Sequence, residues 1–504
     1  MSFNSIKPPT RFTGLHAHSS FSTFDGLGYP KEHIDFVLSE AQGMDSWALT
    51  DHGNGSGLAH ARAHTVKMQK AGRKYRQLYG VEFYFVPSLE GWRDQYETYR
   101  QEVKDAKSAK EKEKLAKTPD VIIADDEVEQ GGHVIEDEDE TKKSAANKPE
   151  WKRYYHLVVV AKNQVGLGNL FTLVKKSYKH GFYRFPRIDY KMLKEHGEGL
   201  VVSTACVGGL ASGLIYKQFS GLRFDELHPD LMNDVNNLNP IMNRLENMTD
   251  RFVDCVGQDN FFLEMQFNDL PAQHLTNRCL LDLSQKTGVP LIATADSHFP
   301  DPQKWQAREL YKKLGWMGAK LDQSMLPKEE DLKCKLYPKN AQQMWDEFKT
   351  GYDQYDFYKG REEIVRDAIE RTHDIAWQKC EDTWIDTSVK LPKFGSPEKP
   401  AFKMLADLVK EAMIREGLAN KPEYVERMKE EMSDIKYLGY GSVLPCDVSD
   451  FPPSRKENSF RPRAWFGRRF SSKLLARHHA DRSDSTRLAL ESIPRPPPNK
   501  LARY

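Results

Sequence analysis

The sequence predicts a parallel α/β fold over residues 12 to about 300, and two observations carry that expectation. Short apolar runs alternate with helix-like stretches, and several of the runs end directly in side chains suited to chemistry. Near-continuous apolar strands separated by amphipathic helices imply a parallel sheet with both faces covered.

The apolar runs follow an arm over residues 1–11. They are WALT at 47–50, VEFYFV at 81–86, HLVVVA at 156–161, LVVS at 200–203, FFLEM at 261–265 and PLIATA at 290–295. Between them lie amphipathic stretches such as PKEHIDFVLSEAQG at 30–43 and QHLTNRCLLDLSQKTG at 273–288. Polar groups follow the strands directly in TDHG at 50–53, STAC at 203–206 and ADSH at 295–298. Active sites of α/β barrels lie at the carboxyl ends of strands, because the loops there converge on one face. A single His or Asp in such a place often only caps the next helix. Three such ends, together with the histidine cluster below, point to a site.

Residues 88–152 interrupt the pattern. WRDQYETYRQEVKDAKSAKEKEKLAK is charged and suits an exposed helix supported by i,i+4 pairs. DDEVEQGGHVIEDEDETKKSAANK is acidic and poor in aromatics, the composition of a disordered insertion. Residues 301–440 read as mainly helical. EEIVRDAIERTHDIAWQKC and FKMLADLVKEAMIREGL repeat apolar positions at three- and four-residue spacing, and LPKFGSPEKP between them reads as an extended linker. Residues 441–504 lose that periodicity and become rich in arginine and proline, as expected of a disordered tail.

Composition excludes several classes. A formal net charge of +1 hides strong local asymmetry and says little about partners. No stretch approaches the roughly 20 apolar residues that span a bilayer. The opening MSFNSIKPPTRFTG lacks the apolar run of a secretory signal. Six cysteines without a CxxC pair do not make a disulfide framework. A reducing cytoplasm is therefore the expected compartment, with no membrane partner.

The sharpest chemical signal is His16-Ala17-His18-Ser19, followed by Ser22 and Asp25-Gly26. Residues two apart in an extended segment face the same side, so His16 and His18 can share one metal ion. Imidazole suits zinc, manganese or iron, and carboxylates favour harder ions. Glu82 ends an apolar strand, where a buried carboxylate without a partner is costly, so a metal is its natural companion. His33, His60, His64 and His180 lie outside these motifs and read as surface or packing residues.

FTGLHAHSSFSTFDGLG resembles the first motif of the PHP (polymerase and histidinol phosphatase) superfamily, in the form found in bacterial DNA polymerase III α subunits. TDHG, GVEFY, YYHLVVVAKN, STACVGG and TADSHF then resemble its later motifs, over roughly residues 12–440. The resemblance implies a distorted (β/α)7 barrel over 12–300, followed by a mainly helical polymerase lead-in to about 440. It also implies a nine-position metal site of His16, His18, Asp25, His52, Glu82, His156, Cys206, Asp296 and His298. Such a site holds up to three divalent ions (zinc, manganese or iron), with His16, His18, Asp25 and His52 in catalysis. A cysteine after VVSTA equally suits a small buried residue.

By resemblance the activity is 3′→5′ exonucleolytic proofreading of DNA with a 3′ end, by hydroxide attack on phosphorus. The basic and aromatic stretch KKSYKHGFYRFPRIDYK at 175–191 resembles the family's segment there and suits contact with nucleic acid. VSDF at 448–451 and KENSF at 456–460 resemble the approach to a polymerase nucleotide-binding loop. The glycine-rich loop and the aspartate-rich run that follow in that family have no counterpart here. A frameshift or a split gene is the expected reason, with a new tail as the alternative. This chain alone is then expected not to polymerise DNA, and a palm-containing polypeptide and replisome subunits become expected partners. Two other readings compete: a small-molecule phosphoesterase, and a metal site that only stabilises a scaffold.

Overall fold

The computed structural model describes residues 3, 6–117, 153–317, 327–328, 332, 334–386 and 400–437. The acidic part of the expected insertion, the linker before residue 400, and the tail with its VSDF and KENSF echoes lie outside them. The chain divides into two compact units, Met1–Thr387 and Ser388–Tyr504.

In the first unit the strands are β1 (Ser46–Leu49), β2 (Arg76–Phe85), β3 (Tyr155–Ala161), β4 (Phe182–Tyr183), β5 (Phe185–Ile188), β6 (Leu200–Ser203), β7 (Phe261–Met265) and β8 (Leu291–Ala293). Helices α1 (Pro30–Val37), α2 (Leu58–Lys70), α3 (Leu89–Lys117), α4 (Gln164–His180), α5 (Tyr190–Glu195), α6 (Leu210–Tyr216), α7 (Val235–Val256) and α8 (Pro271–Thr287) connect them. Then come α9 (Trp305–Met317), α10 (Ala341–Gln354) and α11 (Glu362–Asp374), the last running into a π turn at Ile375–Lys379.

The sheet curls in the order β1, β2, β3, β6, β7, β8. The extended segment 14–18 closes it. On one side Ala48 and Thr50 donate backbone hydrogen bonds to Gly14 and Ala17, and on the other His18 donates to Ser297. Seven staves thus form a distorted (β/α)7 barrel, with the β4–β5 hairpin paired through β5 to the end of β2.

Among the seven staves one departs from the expected parallel sheet: β3 runs antiparallel to both β2 and β6, and beside the barrel β4 is antiparallel to β5. β2 ends at Phe85 and pairs there with Tyr155, the first residue of β3. The long connection through α3 therefore returns the chain to the end it left, and β3 must run back down. The helix expected over 30–43 is also shorter, stopping at Val37 where the chain turns so that the Met44 N–H reaches the Val37 carbonyl.

Alternation sorts the strand residues into two cores. Leu157, Val159 and Ala161 face the helices outside, as do Phe261, Leu263 and Met265. Val158, Val160, Val201, Phe262 and Ile292 face inward with Leu15 and Leu78, above Ile375, Ala376 and Cys380. Each such buried aliphatic or aromatic side chain contributes about 1.5–3 kcal/mol. Trp345 and Phe348 of α10 and Val365 and Ile369 of α11 join the outer core of this same unit, although the sequence reading grouped these helices with the later region. In the second unit α12 (Ala401–Arg415) and α13 (Pro422–Tyr437) are described, with Leu405, Val409 and Met432 packed together. Among the described residues no helix is long and apolar enough to cross a membrane.

Candidate metal centre

The alternation that fills the barrel also builds the site. Two residues beyond Val158, Val201, Phe262 and Ile292, toward the mouth and on the same inward face, stand His156, Ser203, Glu264 and Thr294. On β2 the inward face runs from Leu78 past Gly80 to Glu82. His16 and His18 come from the segment that closes the barrel and Asp25 from the turn after it. The loops after β1, β6 and β8 supply His52, Cys206, and Asp296 with His298.

The structure brings all nine residues together. Glu82 is the hub: its Oε1 lies 3.2 Å from His16 Nε2 and 3.1 Å from His156 Nδ1. Its Oε2 lies 3.1 Å from His18 Nε2 and 2.8 Å from His52 Nδ1. Asp296 Oδ1 stands 3.2 Å from His16 Nε2 and 3.6 Å from His298 Nδ1. Asp25 Oδ2 lies 3.0 Å from His52 Nε2 and 3.2 Å from His298 Nε2. Cys206 Sγ is 3.6 Å from His156 Nδ1. Three groups have ligand atoms mutually within 4.8 Å: His18, His52 and His298; His16, His18 and Asp296; His52, Glu82 and His156.

Acceptor partners fix the ring protons of three histidines. His16 Nδ1 lies 2.7 Å from a carboxylate oxygen of Glu264, and His298 Nδ1 lies 2.8 Å from the Asp296 carbonyl. Neither oxygen can donate, so each Nδ1 carries the proton. His18 Nδ1 is 2.9 Å from Ser22 Oγ, whose own proton goes to Asp51 Oδ1 at 2.8 Å. The serine oxygen therefore accepts from His18. In the neutral form all three rings turn an Nε2 lone pair toward the carboxylates of the site, the orientation that outer partners impose on metal-binding imidazoles.

Five of these atoms are buried without a hydrogen-bond partner: Nε2 of His16 and of His18, Nδ1 of His52, Oε2 of Glu82 and Oδ1 of Asp296. They approach one another at ion-pair distance but are misaligned for hydrogen bonding. Each buried polar atom left so costs about 1–3 kcal/mol, and five in one place call for a common partner. Imidazole nitrogens with carboxylate oxygens and one thiol fit a divalent metal ion.

Without an ion the charges lean on each other. Burial opposes charge on His16, but the carboxylates of Asp296, Glu82 and Glu264 overcome it and hold its pKa well above the usual value. His52 behaves likewise, pushed up to about 10 against burial by Glu82 and Asp25. Burial also opposes charge on Glu82, yet the imidazoles of His156, His16 and His52 hold its carboxyl well below the usual range. Asp25 is lowered in the same way by His298 and Arg308.

Backbone strain gathers at the same place. Asp296 has φ of 47°, and Phe24 and Ala205, which immediately precede Asp25 and Cys206, have φ of 62° and 59°. Non-glycine residues hold this left-handed conformation at a cost, and it clusters at functional sites. Gly26 allows the first motif to close: a Cβ there would sit 2.1 Å from the Ser19 carbonyl oxygen.

A family model described as the PHP domain matches residues 14–268, half of the chain. The chain belongs to the PHP domain family. It is similar to DNA polymerase III subunit alpha of Aquifex aeolicus, 26% identical over 459 residues, covering 89% of this chain and 31% of that protein. The same subunit of Borreliella burgdorferi is 28% identical over 384 residues, covering 76% and 24%. That of Helicobacter pylori is 24% identical over 481 residues, covering 87% and 30%. The chain thus spans less than a third of the length of these curated relatives. An amidohydrolase structure from Chromobacterium violaceum covers 59% of the chain at 12% identity with a TM-score of 0.24, so the barrel is read from the strand order itself.

The PHP domain recruits residues that sequence reasoning missed. Glu264 orients His16 and accepts hydrogen bonds from Ser203 Oγ and, at 2.6 Å, from Thr294 Oγ1. Its signal was available, a lone carboxylate inside FFLEM, the same kind of sign that marks Glu82. Asp51 accepts from the backbone N–H of Ser19 at 2.7 Å and from the hydroxyls of Ser19 and Ser22, tying the first motif to TDHG. Arg308 of α9 caps the far side of the PHP site, donating to the Asp25 carbonyl at 2.9 Å and pairing with its carboxylate. His33, by contrast, is a packing residue, stacked on Trp47 and lowered to about pKa 4 by burial.

Proposed function

We propose that this PHP domain is a metal-dependent phosphodiesterase that removes nucleotides from a DNA 3′ end, 3′→5′, within a bacterial-type replicative polymerase. The observation that carries the reading is the set of five buried, unpartnered ligand atoms on His16, His18, His52, Glu82 and Asp296. Similarity to DNA polymerase III α subunits supports DNA as the substrate.

His16, His18 and Asp296 would hold one ion, and His52, Glu82 and His156 a second, with Cys206 beside it. Asp25 with His298 and His52 would complete a third position. Such ions, whether zinc, manganese or iron, supply the Lewis acidity that ionises water and neutralises phosphoryl oxygens. Glu82 Oε1 faces His16 and His156 and its Oε2 faces His18 and His52, so this carboxylate would serve both of the first two positions.

His16, His18 and Glu82 form a dry floor, whereas Asp25, His52 and His156 are partly open at the rim. A scissile phosphate therefore enters past the rim. Asp25, 3.0 Å from His52 at that rim, would orient the attacking water and accept its proton. A cytoplasmic setting, replisome subunits and a palm-containing polypeptide are the partners that go with this reading.

The test is a nuclease assay on 3′-labelled and 5′-labelled primed DNA with added manganese or zinc. A His16→Ala/His18→Ala variant is purified identically, and no nucleotides are supplied. Stepwise loss from the 3′ end by the parent protein only is expected. No cleavage by a metal-loaded parent, or cleavage of free phosphomonoesters alone, would overturn the reading.

A further inference from the structure

The stretch at 175–191 has a role that the metal centre does not absorb. Phe171, Tyr178 and Phe182 are 40%, 48% and 55% exposed, on one side of α4 and at the start of β4. The Tyr178 and Phe182 rings stack nearly parallel, with centroids 5.7 Å apart and 16° between planes. Lys175, Lys179 and Arg184 are exposed alongside, and among the described residues none has a carboxylate partner. Lys176, between them in sequence, is turned away and paired with Glu195 at 2.9 Å.

A lysine at the end of α4 is accounted for by the helix dipole. That explains Lys179 but neither Lys175, a turn earlier, nor three large rings left in water. The position is informative. A Cβ on Gly55, three residues beyond His52, would meet the Phe171 ring at 3.4 Å. Past Phe182 the chain becomes β5, which pairs with the end of β2, and there Tyr84 packs on Phe185 and stacks on His52. The strip is therefore continuous with the rim of the metal centre.

We propose that Phe171, Tyr178 and Phe182, with Lys175, Lys179 and Arg184, form a docking strip for single-stranded nucleic acid, which it leads to the metal centre. Flat rings take base faces without regard to sequence, and the ammonium and guanidinium groups take phosphates. A duplex, whose bases are already stacked, offers the rings nothing. The inference rests on the phosphodiesterase reading and names its substrate as a frayed, unpaired 3′ end.

The test measures binding rather than cleavage. A fluorescein-labelled oligo-dT is titrated with the His16→Ala/His18→Ala chain in chelator and followed by anisotropy. Adding Tyr178→Ala/Phe182→Ala is expected to weaken binding about tenfold or more with an unchanged melting curve. Adding Lys175→Ala/Lys179→Ala instead is expected to reduce the slope of log affinity against log salt by about 1.4, roughly 0.7 per lost phosphate contact. Affinity unchanged in both variants, or tighter binding of a blunt duplex than of oligo-dT, overturns the strip. Strip-dependent binding by a protein that never cleaves DNA would sink the exonuclease reading and leave the strip standing.

Discussion

Nδ1 of His16 lies 2.7 Å from Oε1 of Glu264, a carboxylate that touches no other ring of the cluster and is held in place by Ser203, Thr294 and Gln266. Its role is to keep the His16 proton on Nδ1 and the lone pair on Nε2. Outer partners of this kind typically contribute 10–100-fold to metal affinity. Glu264→Ala is therefore expected to weaken metal binding by about that factor, and Glu264→Gln, which still offers an acceptor, by less. Calorimetric metal titration reads both. Equal affinity in the parent and the alanine variant would remove Glu264 from the site.

Protons and metal compete for the same atoms. In the chelated protein His52 titrates near 10 and His16 is also raised, whereas in the unfolded chain both return to about 6.5. The stability they contribute is thus fully present below about pH 6.5 and lost as pH rises through about 10 for His52. Melting temperature in chelator is expected to fall over that window. Metal-loaded protein is expected to resist the fall, because the ion takes the place of the protons, and its metal affinity should rise with pH. Parallel melting curves with and without metal would contradict this.

Arg308 is the fixed counter-charge of Asp25. Arg308 is buried and Asp25 only partly so, and removing the cation is expected to cost about 1–3 kcal/mol. Arg308→Met should lose about that much stability in denaturant titrations in chelator, and recover part of it when a divalent ion gives Asp25 a new positive neighbour. A loss that metal does not reduce would show that Asp25 does not face the ion.

Cys206 separates a ligand from a packing residue. Burial and the nearby Glu82 and Asp296 carboxylates push its thiol pKa well up, so without metal it stays protonated. Coordination would deprotonate it. Cobalt-loaded protein is expected to show a thiolate-to-cobalt charge-transfer band in the near ultraviolet, absent from Cys206→Ser. The same spectrum from both proteins would make Cys206 a packing residue.

Much of the site was legible because its residues follow short-range rules. His16 and His18 share a face by the two-residue period of an extended segment, and Glu82 betrays itself as a carboxylate within an apolar strand. The reversal of β3 was not legible. The run HLVVVA reads the same in either direction, and its sense depends on where a long connection delivers the chain. Arg308 was invisible for a similar reason. An arginine on an amphipathic helix looks like surface until α9 is known to lie against Asp25. Asp51 stood one residue from His52 and passed unnoticed, since only the fold brings it under Ser19 and Ser22.

The metal centre depends on the five unpartnered atoms sharing metal ions, and the most direct measurement is the metal content of the purified chain by elemental analysis. The parent protein, reconstituted and desalted, is expected to retain two or three divalent ions per chain, about the number its three ligand groups provide for. The His16→Ala/His18→Ala protein is expected to retain fewer. A folded parent protein that keeps no ion after reconstitution would contradict the metal centre, and with it the proposed chemistry.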